Sequence, residues 1–189
     1  MKKIFIAMFV FAAVIVVNPS DVHAQYAGGD ALGLSLGGGT LSGLNLIGKS
    51  HSLPMMFGAS LGVSQNSFAL GVTADWWLLH KQLGRVGLAD VFIYLGPGVD
   101  VSFVIGSAFG VNAGVRMPLG FSWMVDSPGW EKWEILTELV FGVNVIGFWA
   151  SDSYTGVLLF GQGLGSNAPA FNAFNTIGAG VRLGFRYWF

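Results

Sequence analysis

The chain has no cysteine, few charges and, beyond its first twenty residues, no long apolar run. Without cysteine, a disulfide scaffold and a thiolate-ligated zinc or iron–sulfur centre are excluded. Only 10 % of the 189 residues are charged and the formal net charge is −1, whereas soluble domains carry about 25 % charged residues. There is no basic excess to neutralise phosphates, so a nucleic-acid partner is not expected. The hydrophobic fraction of 53 % excludes disorder, which needs low hydrophobicity and high charge. Yet no apolar run after the N-terminus approaches the roughly 18 residues of a spanning helix. What is abundant is glycine, with 29 copies, and aromatic residues, at 14 %.

The first residues read as an export signal. Met1-Lys2-Lys3 is a basic start, positions 4–17 are apolar, and Asn18-Pro19 break the run. Val22-His23-Ala24 then offers small residues where a signal peptidase cuts, so residues 1–24 are expected to be removed and residues 25–189 to form one domain.

The rest of the chain alternates. From 176 to 189 the odd positions are Ile177, Ala179, Val181, Leu183, Phe185, Tyr187 and Phe189, and the even positions hold glycines, Thr176, Arg182, Arg186 and Trp188. A strand sends successive side chains to opposite faces, so one face is apolar and the other small or charged. Positions 109–125, 135–145, 91–103 and 68–78 split the same way, and weaker strands fall at 32–37, 44–49 and 55–63, giving eight. The apolar face has almost nothing polar to offer water. Backbone in lipid must pair internally, and an alternating chain does that only as a closed barrel. Strands of about ten tilted residues suit an apolar band of about 25 Å. The expected fold is all-β, an eight-stranded antiparallel transmembrane barrel in contact with outer-membrane lipid.

With an even strand number, segments 49–54, 80–90 and 126–133 are expected as periplasmic turns, holding Lys81, Arg85, Glu131 and Lys132. Segments 38–40, 64–67 and 104–108 become short outer loops, with the glycine run 37–39 read as a hairpin turn, and 147–175 a long one. Outward aromatics then gather at two levels: Trp76, Phe121, Trp123, Tyr187 and Phe189 at one end, Phe68, Phe103 and Phe109 at the other.

The run from Gly180 to Phe189 resembles the closing strand of bacterial outer-membrane barrels. The resemblance rests on Phe189, Tyr187, Phe185, Leu183 and Val181. It implies recognition of these residues by the barrel-assembly machinery and residence in the cell outer membrane. Size and strand number are similar to the eight-stranded OmpW, OmpX and OmpA barrels. The segment from Gly114 to Gly120, followed by Glu138, also resembles small spirochaetal barrels of unsettled function.

Inward charges are expected at Asp75, Asp100, Arg116, Glu138, Arg182 and Arg186, with Lys49 alongside. Eight strands enclose a space that side chains fill, and buried charges must pair. These residues form either a structural plug or the lining of a narrow pore. Glu138 is expected to meet Arg182 or Arg186, and Arg116 to lean towards Asp100, although hairpin counting puts those two out of step. The long outer loop is unusually apolar. Phe148, Trp149, Leu159, Phe160, Phe171 and Phe174 read either as a fold over the barrel mouth or as a gate for small hydrophobic ligands, which the OmpW resemblance implies. His51 and His80 fall in inner turns, leaving Asp152 and the loop serines without a base, so neither an enzyme, a metal nor a cofactor is expected. Two functions stand: a permeability barrel passing small or hydrophobic molecules, or a sealed structural or surface-interaction barrel.

Overall fold

The computed structural model describes residues 29–39, 43–50, 52–63, 67–106, 108–151, 155–159, 162–164 and 177–189. The export signal read at 1–24, and Phe160, Phe171 and Phe174, lie outside them. The strands are β1 (Ala31–Gly39), β2 (Gly43–Lys49), β3 (Met55–Val63), β4 (Ser67–Trp76), β5 (Leu79–Val86), β6 (Ala89–Leu95), β7 (Gly98–Gly106), β8 (Ala108–Val125), β9 (Trp133–Ser151), β10 (Thr155–Leu159), β11 (Gln162–Leu164) and β12 (Ile177–Trp188). All pairings are antiparallel.

Around the ring, β12, β1, β2, β3, β4, β7, β8 and β9 follow one another, and β9 pairs back onto β12. This is a closed eight-stranded barrel. The ring shuts where Ala31 faces Trp188 and Gly39 faces Gly180. The glycine run 37–39 is therefore strand, paired with Arg182–Gly180, rather than the hairpin turn its composition suggests. We call the end where β1 begins and β12 finishes the base, and the opposite end the rim.

Alternation sets the layers. Leu32, Leu34, Leu36, Leu44, Leu46, Phe57, Leu61, Phe68, Leu70, Val72, Phe103, Ile135, Leu139, Phe141, Val181, Leu183 and Phe185 point outward and are exposed. The polar and charged residues of the same strands point inward. This inverts the arrangement of a soluble barrel. The terminal residues Val181, Leu183, Phe185, Tyr187 and Phe189 all lie on the outer face, and Phe189 is 63 % exposed. Trp76, Phe121, Phe68, Phe103 and Phe109 are outward too.

Two wall strands are broken at the same level. β4 stops at Trp76 and resumes as β5; β6 stops at Leu95 and resumes as β7. Trp76 donates its N–H to Pro97 O at 2.8 Å, and Leu78 donates to Leu95 O at 3.1 Å, so the breaks face each other. The long β8 spans both parts: Gly110–Arg116 pair with β7, and Leu119–Val125 pair with β6. Pro118, which has no N–H to donate, falls between the two partners. Segment 80–90 is consequently a paired hairpin and not the turn expected from its charges. Its exposed side chains carry the polarity, while its backbone continues the ladder to a turn at Gly87-Leu88, where Gly87 holds φ 61°.

The long outer loop also begins as strand. β9 runs on to Ser151 beside β8, and β10 takes the edge of β9 that β12 leaves open beyond Val143. One residue of β9, Val145, is bulged out opposite the step from Ala113 to Gly114 of β8.

The lumen is narrow enough that glycine is required where a ring crosses it. Tyr94 lies over Gly120, and a Cβ there would fall within its ring. Gly142 has only ordinary contacts at the equivalent point. Gly120→Ala is expected to lower the urea midpoint of the refolded barrel, with an overpacking cost of about 1–3 kcal/mol. Gly142→Ala should stay within about 0.5 kcal/mol of the parent.

Candidate functional site: the charged lumen

Four strands bring the first charge cluster together. Asp75 is the penultimate residue of β4, Arg116 is central in β8, and Glu138 lies in the base half of β9, directly opposite Arg182 of β12. Arg116 Nε lies 2.9 Å from Asp75 Oδ1, and its Nη2 donates to Glu138 Oε1 at 3.1 Å. Arg182 Nη1 approaches the same Glu138 oxygen at 3.4 Å. Tyr94 donates its hydroxyl to Glu138 Oε2 at 2.9 Å. Glu138 is therefore held by two guanidinium groups and a phenol, all buried.

A second cluster lies one layer nearer the base. Arg186 makes a two-pronged contact with Glu134, Nη2 to Oε1 at 2.7 Å and Nε to Oε2 at 3.0 Å. Trp188 Nε1 donates to Glu134 Oε2 at 2.9 Å. Paired parallel N–H···O bonds are among the stronger charge-assisted contacts. The Arg186 guanidinium also lies over the Trp77 and Trp188 rings, at 5.1 and 5.8 Å. Lys49 Nζ is 5.4 Å from the centre of Trp77 and donates to Ser50 O and Leu53 O, both at 2.8 Å.

Aromatic rings complete the base. Trp77 stacks on Tyr94 with centroids 4.3 Å apart and lies 5.0 Å from His80, which stacks on Phe92 at 5.3 Å. With Ala31, Met56 and Trp188, the rings of Trp77, Tyr94 and Phe92 make a buried apolar cluster inside the barrel. The break after Trp76 permits this. Up to it, Thr73, Asp75 and Trp77 face inward at odd positions; beyond it the phase shifts by one and His80 does.

Towards the rim the lining changes. Gly58, Ser60, Gly71, Thr73, Asp100, Ser102, Gly142 and Asn144 face inward but are only half-buried, whereas Glu134, Leu136, Glu138 and Val140 are fully buried. Burial thus increases from rim to base along β3, β4, β7 and β9, whereas on β2 and β8 the rim-side Asn45 and Asn112 are already buried.

Of the six charges read from the sequence, five sit in these clusters and Asp100 does not. Arg116 makes its direct contacts with Asp75 and Glu138 and reaches Asp100 only through space. Arg116 faces Gly98 across the β7–β8 ladder, which sets it next to the β4 end and leaves Asp100 nearer the rim. The Glu138–Arg182 pairing is as expected, and Lys49 is inward. Sequence reasoning misses Glu134, because the clear apolar alternation begins at Ile135; its parity with Glu138 is the signal that could have found it. Among the gate residues, Phe148 points outward against Phe109 at 6.5 Å, while Trp149 turns in over Gly110. They occupy opposite faces of β9. Leu159 lies in β10, opposite Ile146.

Glu134→Ala would strand Arg186 without its carboxylate. Removing one partner of a buried ion pair typically costs about 3–5 kcal/mol, and a loss of that order is expected in urea unfolding of the refolded barrel. Glu138→Ala, which takes a shared carboxylate from Arg116 and Arg182, should also lower the temperature at which the folded gel band disappears.

No protein-family model matches the chain, and no curated protein does. Among solved structures it is similar to a major outer membrane protein from Thermus thermophilus, at 11 % identity and a TM-score of 0.48, over 87 % of this chain and 100 % of that one.

Proposed function

We propose that the protein is an outer-membrane β-barrel whose lumen is closed at the base, serving as a structural or surface-interaction element of the envelope. Membrane residence is supported by the outward face, a continuous leucine, valine and phenylalanine surface around the ring. Such a surface is far larger than a water-soluble monomer tolerates, and the eight wall strands close on one another, which suits backbone in lipid. On this reading the base faces the periplasm and the rim the outside. The outward residues of β12 from Val181 to Phe189 are what the assembly machinery reads during insertion.

One observation carries the sealed lumen: the two ion-pair clusters and the Trp77, Tyr94 and Trp188 rings occupy successive layers of the base, with Arg182, Arg186, Glu134 and Glu138 buried. A solute moving along the axis would have to separate charges paired in a poorly solvated space, at several kcal/mol per ion. The barrel carries out no chemistry on this reading and needs no cofactor.

The second reading, a permeability barrel for small molecules, draws on the rim half of β3, β4, β7 and β9, where small polar residues leave inward positions half-buried. It requires the base to open. Planar-bilayer recording of the refolded barrel separates the two. Silence across moderate voltages is the expected result, and sustained conductance steps from the unaltered protein would replace the sealed reading with the permeability one.

A further inference from the structure

The outer surface near the base is not uniform around the ring. On β1 and β2 it is leucine. On β9 and β12 it is a connected set of aromatic rings. Trp133 lies 6.0 Å from Phe185 and 5.2 Å, edge-on, from Tyr187, and Tyr187 lies 5.4 Å from Phe189. Trp130 joins the set from the β8–β9 turn, 5.9 Å from Trp133. The turn is fixed by backbone bonds from Trp130 N to Ser127 O, from Trp133 N to Trp130 O, and from Trp188 N to Lys132 O, at 2.8, 2.9 and 2.9 Å.

This turn also places a cation. Lys132 Nζ lies 5.8 Å from the centre of the Tyr187 ring, at the edge of the aromatic surface. The neighbouring cation Arg85 is engaged with Asp126. Lys132 takes part in none of the ion pairs among the described residues, and the acidic residue beside it is Glu131 on the same turn. An ammonium at the margin of an exposed apolar surface is complementary to a ligand with an anionic head and an apolar body. Indole and phenol rings suit such a boundary, since each presents a polar tip and an apolar body.

We infer that the β8–β9 turn and the base of β9 and β12 form a binding site for one anionic phospholipid, its phosphate at Lys132 and its acyl chains along Trp133, Phe185 and Tyr187. The site rests on the membrane reading above and adds to it a fixed position and a preferred head-group charge.

The test uses the refolded full-length barrel in vesicles of equimolar phosphatidylglycerol and phosphatidylcholine, with retained lipid counted after gentle detergent extraction. The parent should retain phosphatidylglycerol over phosphatidylcholine by about fivefold, the worth of one lysine near an anionic surface. Lys132→Met should lose that preference and Lys132→Arg should keep it, with unchanged urea midpoints showing that both are folded. Insertion with equal retention of both lipids, or a Lys132→Met variant that keeps the preference, overturns the site alone. Failure of the parent to enter any vesicle overturns the membrane reading and the site together.

Discussion

Space inside an eight-stranded ring is the constraint on which the other features depend. The wall encloses a column about one layer of side chains wide. An inward position must therefore be empty, or hold a side chain whose neighbours make room for it. Gly120 makes room for Tyr94; Tyr94 then reaches Glu138; Glu138 holds Arg116 and Arg182. The glycine content and the charge network answer the same geometrical limit. A large side chain reaching across the lumen excludes bulk from the strand it approaches, and Gly120 stands where one arrives.

Burial of charge in such a column is costly unless pairing is complete, and replacing ions by apolar groups of the same size often costs nothing. A purely stabilising core would not need Lys49, Arg116, Arg182 and Arg186 buried within it. What the ions add is uniqueness. A leucine-filled lumen tolerates a strand slipped by two residues, whereas Glu134 and Glu138 fit Arg186 and Arg182 in one register only. The network thus fixes how β12 sits on β9, and through β12 where the ring closes on β1. This follows the general use of buried polar groups to select one alignment among several apolar ones.

Much of this architecture is legible in the residues. β12 reads without ambiguity because each face is chemically uniform over its whole length. The other wall strands overlap the runs read from the sequence, but the runs at 68–78 and 91–103 cross the breaks after Trp76 and Leu95, and the one at 135–145 continues to Ser151. The partners of Arg116 are not legible. They depend on the break after Trp76, on the exchange of β6 for β7 along β8, and on the bulge at Val145, each of which shifts register by an amount that composition does not encode. Segment 80–90 shows a different limit. Exposed lysine and arginine mark solvent, and solvent suggests a turn, yet a hairpin can be solvated on both faces and still be paired. Glu134 shows a third: a strand end set by the last obvious apolar residue discards a buried charge just beyond it.

Every wall strand but one pair is bonded to its neighbour in sequence, allowing for the two broken strands; the exception is β1 with β12. Local hairpins form quickly, while joining the two ends of the sheet must overcome the closure entropy of nearly the whole chain. Before that step the molecule is an open sheet with two free edges, one from each end. Those edges are complementary to each other whether they belong to one chain or to two. Ring closure is thus a race between a unimolecular and a bimolecular reaction. Dilution favours the barrel, and crowding on the way to it favours linked or swapped chains.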